Sequence, residues 1–185
     1  MINYDYIVAY STQTGNTKKL ASEIFAMLPG MDKDLKSIDE ISNEAQTDIY
    51  FVGFWTDRGS CNGEVSEFLS GLHGKKIALF GTCGMGENEE YRKEVVDRTV
   101  KLIPRDNEFL GAFICQGKMP IAVRNRYEEL YETSEEKETV AQLLFNFDRA
   151  MLHPNQEDYD KARLFVDAIL SDLDIKREIS SKWNL

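Results

Sequence analysis

No apolar run in this 185-residue chain approaches the roughly 20 residues a helix needs to cross a bilayer. The opening segment MINYDYIVAY has no basic leader, and Asp5 interrupts its apolar stretch, so it does not read as a secretory signal. Internal repeats and low-complexity tracts are missing. Cysteine is scarce and odd in number: Cys61, Cys83 and Cys115 are widely spaced and form no paired metal-ligand pattern, which suits a reducing cytoplasm. Basic residues are the minority, 22 Lys and Arg against 32 Asp and Glu, for a formal net charge of -10. Phosphate neutralisation requires clustered cations, so this balance argues against a nucleic-acid partner. It permits a basic protein partner, and it equally serves solubility alone. The two histidines, His73 before Gly74 and His153 before Pro154, have no company that suggests a metal ligand or a base.

What the chain does have is alternation. Short apolar runs rich in β-branched and aromatic residues recur at Tyr6 to Tyr10, Ile49 to Phe54, Ile77 to Thr82 and Phe109 to Cys115. Each is too continuous for a half-exposed strand and reads as a central strand covered on both faces. A weaker strand is expected near Leu35 to Ile38. Helical periodicity fills the intervals: Leu20, Ile24 and Leu28 after Asn16, stopped by Pro29-Gly30; Val65, Phe68, Leu69 and Leu72; Tyr91, Val95, Val96, Val100 and Ile103. A last helix runs from Tyr159 through Leu173, with Asn155 as its N-cap. The pattern predicts an α/β domain over residues 1–185, a doubly wound five-stranded parallel sheet of order 2-1-3-4-5. Ligands in such sheets bind beyond the carboxyl ends of the strands, here Tyr10, Phe54, Thr82 and Cys115. One stretch interrupts the alternation: about 118–154 carries two amphipathic segments, Pro120 to Tyr131 and Lys137 to Met151. It is expected as a helical insertion on the sheet edge before the last helix, either a structural lid or a partner-docking surface.

Function is sought first in IVAYSTQTGNTKKLA, where four apolar residues give way to seven small polar ones and then to a helix. A helix N-terminus leaves backbone N–H groups free and carries partial positive charge, so it attracts an anion. Ser11, Thr12, Thr14 and Thr17 add hydroxyls, Asn16 adds an amide, and Gly15 permits the tight turn. The result is a phosphate cradle with no lysine in the loop. Neither a GK[ST] ending nor GxGxxG is present, so the competing phosphate motifs fail.

The stretch Ser11-Thr12-Gln13-Thr14-Gly15-Asn16-Thr17 resembles the phosphate signature of the flavodoxin family. Strand and helix order agree over nearly the whole chain. The resemblance implies a non-covalent FMN with its 5'-phosphate in this loop and its ring between two further strand-end loops. In the first of these, Phe54-Trp55-Thr56-Asp57-Arg58-Gly59, it sets Trp55 or a neighbour against one ring face; burial of the indole under the next helix is the alternative. A backbone peptide of this loop turns in the family to meet the reduced ring, and Gly59 is the candidate here. Asp57 and Arg58 would tune the potential in opposite directions if either faces inward. In the second loop, Thr82-Cys83-Gly84-Met85-Gly86-Glu87-Asn88, glycines permit close approach to the pyrimidine end. The tyrosine common at this point of flavodoxins is absent; Met85 or the later Tyr91 could cover the second face, or it stays open. Cys61 and Cys83 lie on facing loops and are read as two unreactive thiols.

GFWTDRGSC, FGTCG, CQGKMP and NFDRAMLHP further resemble a subgroup of flavodoxin-family proteins of anaerobic bacteria, some of which are associated with bilirubin reductases. The function so implied is cytoplasmic electron transfer between a flavin or iron-sulfur reductase and an acceptor enzyme, by a monomer or weak dimer. No catalytic side chain, metal, membrane or nucleic acid is called for. An NAD(P)H-dependent FMN or quinone reductase of the same fold is the alternative.

Overall fold

Every apolar run singled out above forms a strand, and every periodic segment a helix. The structure is a computed structural model describing residues 2–42, 45–85 and 88–183. In chain order it comprises β1 (Ile2–Tyr4), β2 (Tyr6–Tyr10), α1 (Asn16–Met27), β3 (Lys33–Ser37), β4 (Ala45–Thr47), β5 (Ile49–Asp57), β6 (Ser60–Cys61), α2 (Gly63–Ser70), β7 (Lys76–Cys83), α3 (Glu89–Val100), β8 (Glu108–Gln116), α4 (Ile121–Thr133), α5 (Lys137–Ala150) and α6 (Gln156–Trp183). The main sheet runs β3-β2-β5-β7-β8, every ladder parallel. Counted along the chain, that is the expected order 2-1-3-4-5. Two small features were not foreseen: β1 pairs with β4 as a separate two-stranded sheet, and β6 folds back antiparallel on β5.

Side chains alternate faces along a strand, so each continuous apolar run feeds two cores. Tyr6, Val8 and Tyr10 of β2 pack with Leu20, Ala21 and Ile24 of α1 and with Ala162, Val166 and Ile169 of α6. Ile7 and Ala9 point the other way, toward Val65 and Leu69 of α2 and Val95 of α3. A reciprocal fit locks β5 to β7. Gly53 sits beside Phe80 and Phe54 beside Gly81. A Cβ on Gly53 would stand 2.3 Å from the Phe80 ring, and one on Gly81 would stand 2.8 Å from the Phe54 ring. Both rings are fully buried, so each glycine makes room for the other strand's phenylalanine.

The start of α6 follows the sequence reading. Asn155 Oδ1 accepts from the backbone N–H of Glu157 at 3.0 Å and of Asp158 at 3.4 Å. Asp158 Oδ2 reaches back to accept from Asn155 N–H at 2.9 Å, completing a reciprocal cap. The same carboxylate lies 2.6 Å from His153 Nδ1, so this histidine has a partner the sequence did not reveal. His73 likewise lies 3.1 Å from Asp106.

The helical pair α4 and α5 was expected on the sheet edge. Its hydrogen bonds to the sheet run to the carboxyl ends of β7 and of the edge strand β8. Asn146 of α5 donates to the Gly84 carbonyl at 3.0 Å, and Gln116 Nε2 donates to the same carbonyl at 2.9 Å and to Asn146 Oδ1 at 3.1 Å. α5 buries Val140, Phe147 and Ala150, whereas α4 buries no residue. The pair therefore stands at the carboxyl end of the sheet, α5 through Asn146 and α4 through Ala122, Val123 and Tyr127 beside the cleft there.

Candidate functional site

The sequence turns from apolar to polar at Ser11 because β2 leaves the sheet there, while Gly15, at φ 85°, sets the chain into α1. α1 begins without a side-chain cap, and nothing lies within 4 Å of where a Gly15 Cβ would stand. Free N–H groups at a helix start, facing open space, are the requirement for an anion.

Much of the loop's polar side chemistry, however, serves the protein itself. Ser11 is buried and its Oγ accepts from Asn62 Nδ2 at 3.0 Å. Thr12 Oγ1 accepts from Gly15 N–H at 3.1 Å. Thr17 is fully buried, within 3.1 Å of Thr82 Oγ1 and 3.4 Å of the Phe54 carbonyl that it donates to. The Thr17 bonds tie the first loop to β5 and β7, and the Ser11 bond ties it to Asn62 at the start of α2. Asn16 donates to Thr14 Oγ1 at 2.7 Å and to the Lys118 carbonyl at 2.8 Å, and Thr14 donates to that carbonyl at 3.4 Å. Of the seven loop residues, Gln13, Thr14 and Asn16 line the adjoining cleft. The picture of hydroxyls ringed about one point thus gives way to backbone donors framed by a stapled loop.

That cleft, of roughly 590 Å³, lies between the loops after β2, β5, β7 and β8. Trp55, Thr56 and Asp57 enter it from β5. Trp55 is half-buried, so burial of the indole under α2 does not apply. Phe54 does not line the cleft: strand alternation turns its ring into the core against Gly81. Arg58 and Gly59 are also displaced from the expected site. They form the tip of a tight hairpin, at φ 48° and 80°, which pairs Asp57 with Ser60. The hairpin leans on α3, where Cys61 N–H donates to Thr99 Oγ1 at 3.1 Å and Gly59 faces Arg98. Arg58 and Gly59 do not line the cleft, whereas Asp57, the neighbouring charge, does.

From β7 come Thr82 and Cys83, followed by Gly84 and Met85 of the turn after it, with Tyr91 from the first turn of α3. Asn88 caps that helix, accepting from Tyr91 N–H at 2.9 Å. Gly86 and Glu87, expected at the pyrimidine end, lie outside the described residues. Burial pushes the Cys83 thiol up to about 12, and burial likewise raises Cys61 and Cys115, so all three stay neutral near pH 7.

The remaining wall was missed: Gly117, Lys118, Met119 and Pro120, then Ala122, Val123 and Tyr127 of α4. Met119 packs on Gly84, its Sδ 2.4 Å from where a Cβ would be. The signal is the end of β8, just past Cys115, since ligands in such sheets bind beyond the carboxyl ends of the strands. A second apolar groove, lined by Ala122, Val123, Arg126, Tyr127 and Leu130, continues the cleft along α4.

The residues present fit FMN. An uncapped helix start suits a phosphate, and Trp55, Met85, Tyr91, Met119 and Tyr127 give the cleft the apolar and aromatic lining that a flat ring needs. Among the described residues no three His, Cys, Asp or Glu side chains gather as for a metal, and no helix is long and apolar enough to cross a membrane.

Comparison with known proteins agrees. The family model described as flavodoxin domain matches residues 7–167. The flavodoxin-like domain-containing protein BilS of Clostridioides difficile (strain CD3) is 37% identical over 164 residues, 86% of this chain and 93% of its own. Its namesake in Clostridium symbiosum (strain WAL-14163) is 27% identical over 170 residues, 83% of this chain and 89% of its own. Among solved structures, flavodoxin 2 of Bacillus cereus superposes with TM-score 0.55 at 18% identity, covering 91% of this chain and 99% of that one. The chain belongs to the flavodoxin family, and its cofactor is FMN.

Proposed function

We propose that the chain is an electron carrier that passes electrons from a reductase to an acceptor enzyme. The observation that carries this reading is the cleft itself. It offers a helix start for a phosphate, an aromatic wall for a flat ring, and neutral thiols. FMN, when bound, supplies the redox chemistry, accepting and releasing electrons. The chain's own residues bind and orient it: α1 and its loop at the phosphate, Trp55 on one ring face, and Asp57 as a negative charge opposing further negative charge in the cleft. No side chain is required as nucleophile or general base. The buried free thiols support a reducing, cytoplasmic setting, and the resemblance to the anaerobic subgroup supports a bilirubin reductase as acceptor.

A second reading, an NAD(P)H-dependent FMN or quinone reductase, is favoured by one feature, the apolar groove along α4 that opens off the cleft. A hydride donor or quinone needs such access to a ring face. Anaerobic mixing of FMN-loaded protein with NADPH separates the two. A carrier stays yellow until a reductase is added, whereas an enzyme bleaches at once without one.

A further inference from the structure

We infer that Lys118, at the junction between β8 and the helical pair, is the counter-cation of the FMN phosphate and makes this chain prefer FMN to riboflavin. The inference rests on the FMN reading above and adds a residue to it from outside the phosphate loop.

Four observations support it. Lys118 is held against the loop by its own backbone, its carbonyl accepting from Asn16 Nδ2 at 2.8 Å and from Thr14 Oγ1 at 3.4 Å. Gly117 is fixed beside it, donating to the Cys83 carbonyl at 3.0 Å, with the Asn16 amide 2.9 Å from where a Gly117 Cβ would stand. Lys118 lines the cleft at the end shared with Gln13, Thr14 and Asn16. Asp57 is the other charged residue among the described lining, and it enters from β5 beside Trp55, the wall assigned to the ring.

The chemistry follows from the staple. Asn16 and Thr14 would be natural neutral donors to a phosphate, but their donors are engaged with each other and with the Lys118 carbonyl. Backbone N–H groups of α1 remain, and they balance only part of a dianion. A flexible four-carbon stem, anchored at its root on the loop and carrying an ammonium that joins no ion pair among the described residues, supplies the missing positive charge. α1 adds to the same local field, with Lys18 and Lys19 in its opening turn and no acidic residue there. Within a chain of net charge -10, a dianion would otherwise be repelled.

The test compares two flavins that differ by the phosphate alone, FMN and riboflavin, with affinities read from quenching of flavin fluorescence. Lys118→Gln is expected to weaken FMN about tenfold, the scale of one charge-assisted hydrogen bond, to leave riboflavin unchanged, and to flatten the fall of FMN affinity with added salt. Lys118→Arg should restore most of the loss. Unchanged FMN affinity in Lys118→Gln overturns the assignment while leaving FMN as the cofactor. Equal loss of both flavins also overturns it, because the residue would then shape the cleft without meeting the phosphate. A wild-type protein that binds neither flavin overturns the FMN reading and this inference together.

Discussion

Asp57 is exposed at the end of β5 yet lines the cleft proposed to hold the flavin, whereas Arg58 one residue on stands at the hairpin tip. A carboxylate there disfavours negative charge gathering on the ring, so Asp57→Asn should raise the midpoint potential. About 59 mV corresponds to roughly 1.4 kcal/mol for one electron, and solvent screening of an exposed carboxylate brings the expected rise to about 20–60 mV. A redox titration of both proteins measures it; an unmoved or lowered potential would mean that Asp57 does not act on the ring. Residue-scale features of this kind were only partly legible in the sequence. The motif around Gly15 located the loop, because a glycine and an uncapped helix start are local properties. The partners of Ser11, Asn16 and Thr17 lie dozens of positions away, so no local pattern shows that their polar groups are taken. Arg58 misled for another reason: its positive φ follows from the two-residue hairpin, and the signal was the Arg58-Gly59 pair between β5 and β6.

At the scale of elements, the parallel sheet is specified by what its strands exclude as much as by what they contain. Gly53 and Gly81 stand in strands of otherwise large side chains because the neighbouring strand's phenylalanine occupies the space. Gly53→Ala would drive a methyl group to within 2.3 Å of a fully buried ring. Overpacking of this kind costs about 1–3 kcal/mol. Urea unfolding should show a lower midpoint with little change in slope; a midpoint equal to wild type would mean that Phe80 finds another rotamer without strain. The five main strands and six helices could be read from the sequence because continuous apolar runs and 3.6-residue periodicity are strong signals. β1, β4 and β6 could not, since two- and three-residue strands carry too few positions for any period. The amphipathic stripes of α4 and α5 were equally plain, but a stripe does not say which surface it covers. Asn146 and Gln116, polar residues that meet over the Gly84 carbonyl, decide that.

For the molecule as a whole, ionisation links these packing choices to conditions in solution. A Cys83 thiol that ionises at about 12 when folded, against an ordinary 9.0, makes the folded chain the better proton binder between those values. Its contribution is fully present below pH 9 and is lost as pH rises toward 12. Cys61, Cys115 and Tyr50, all raised chiefly by burial, act in the same sense. The denaturation midpoint should therefore fall steadily above pH 9, less steeply in Cys83→Ala, and a midpoint flat to pH 11 would contradict the burial of these groups. The net charge of -10 works over longer distances. If the chain is the carrier proposed above, attraction to a basic surface on its partner would raise the encounter rate, and salt would screen it over a Debye length of about 10 Å at 0.1 M. Raising ionic strength from about 20 to 200 mM should lower the second-order rate of electron transfer to the acceptor several-fold, while the intramolecular rate in a preformed complex stays constant. A bimolecular rate indifferent to salt would assign the acidity to solubility and leave recognition to the apolar face of α4 that carries Ala122, Val123, Tyr127 and the exposed Leu130.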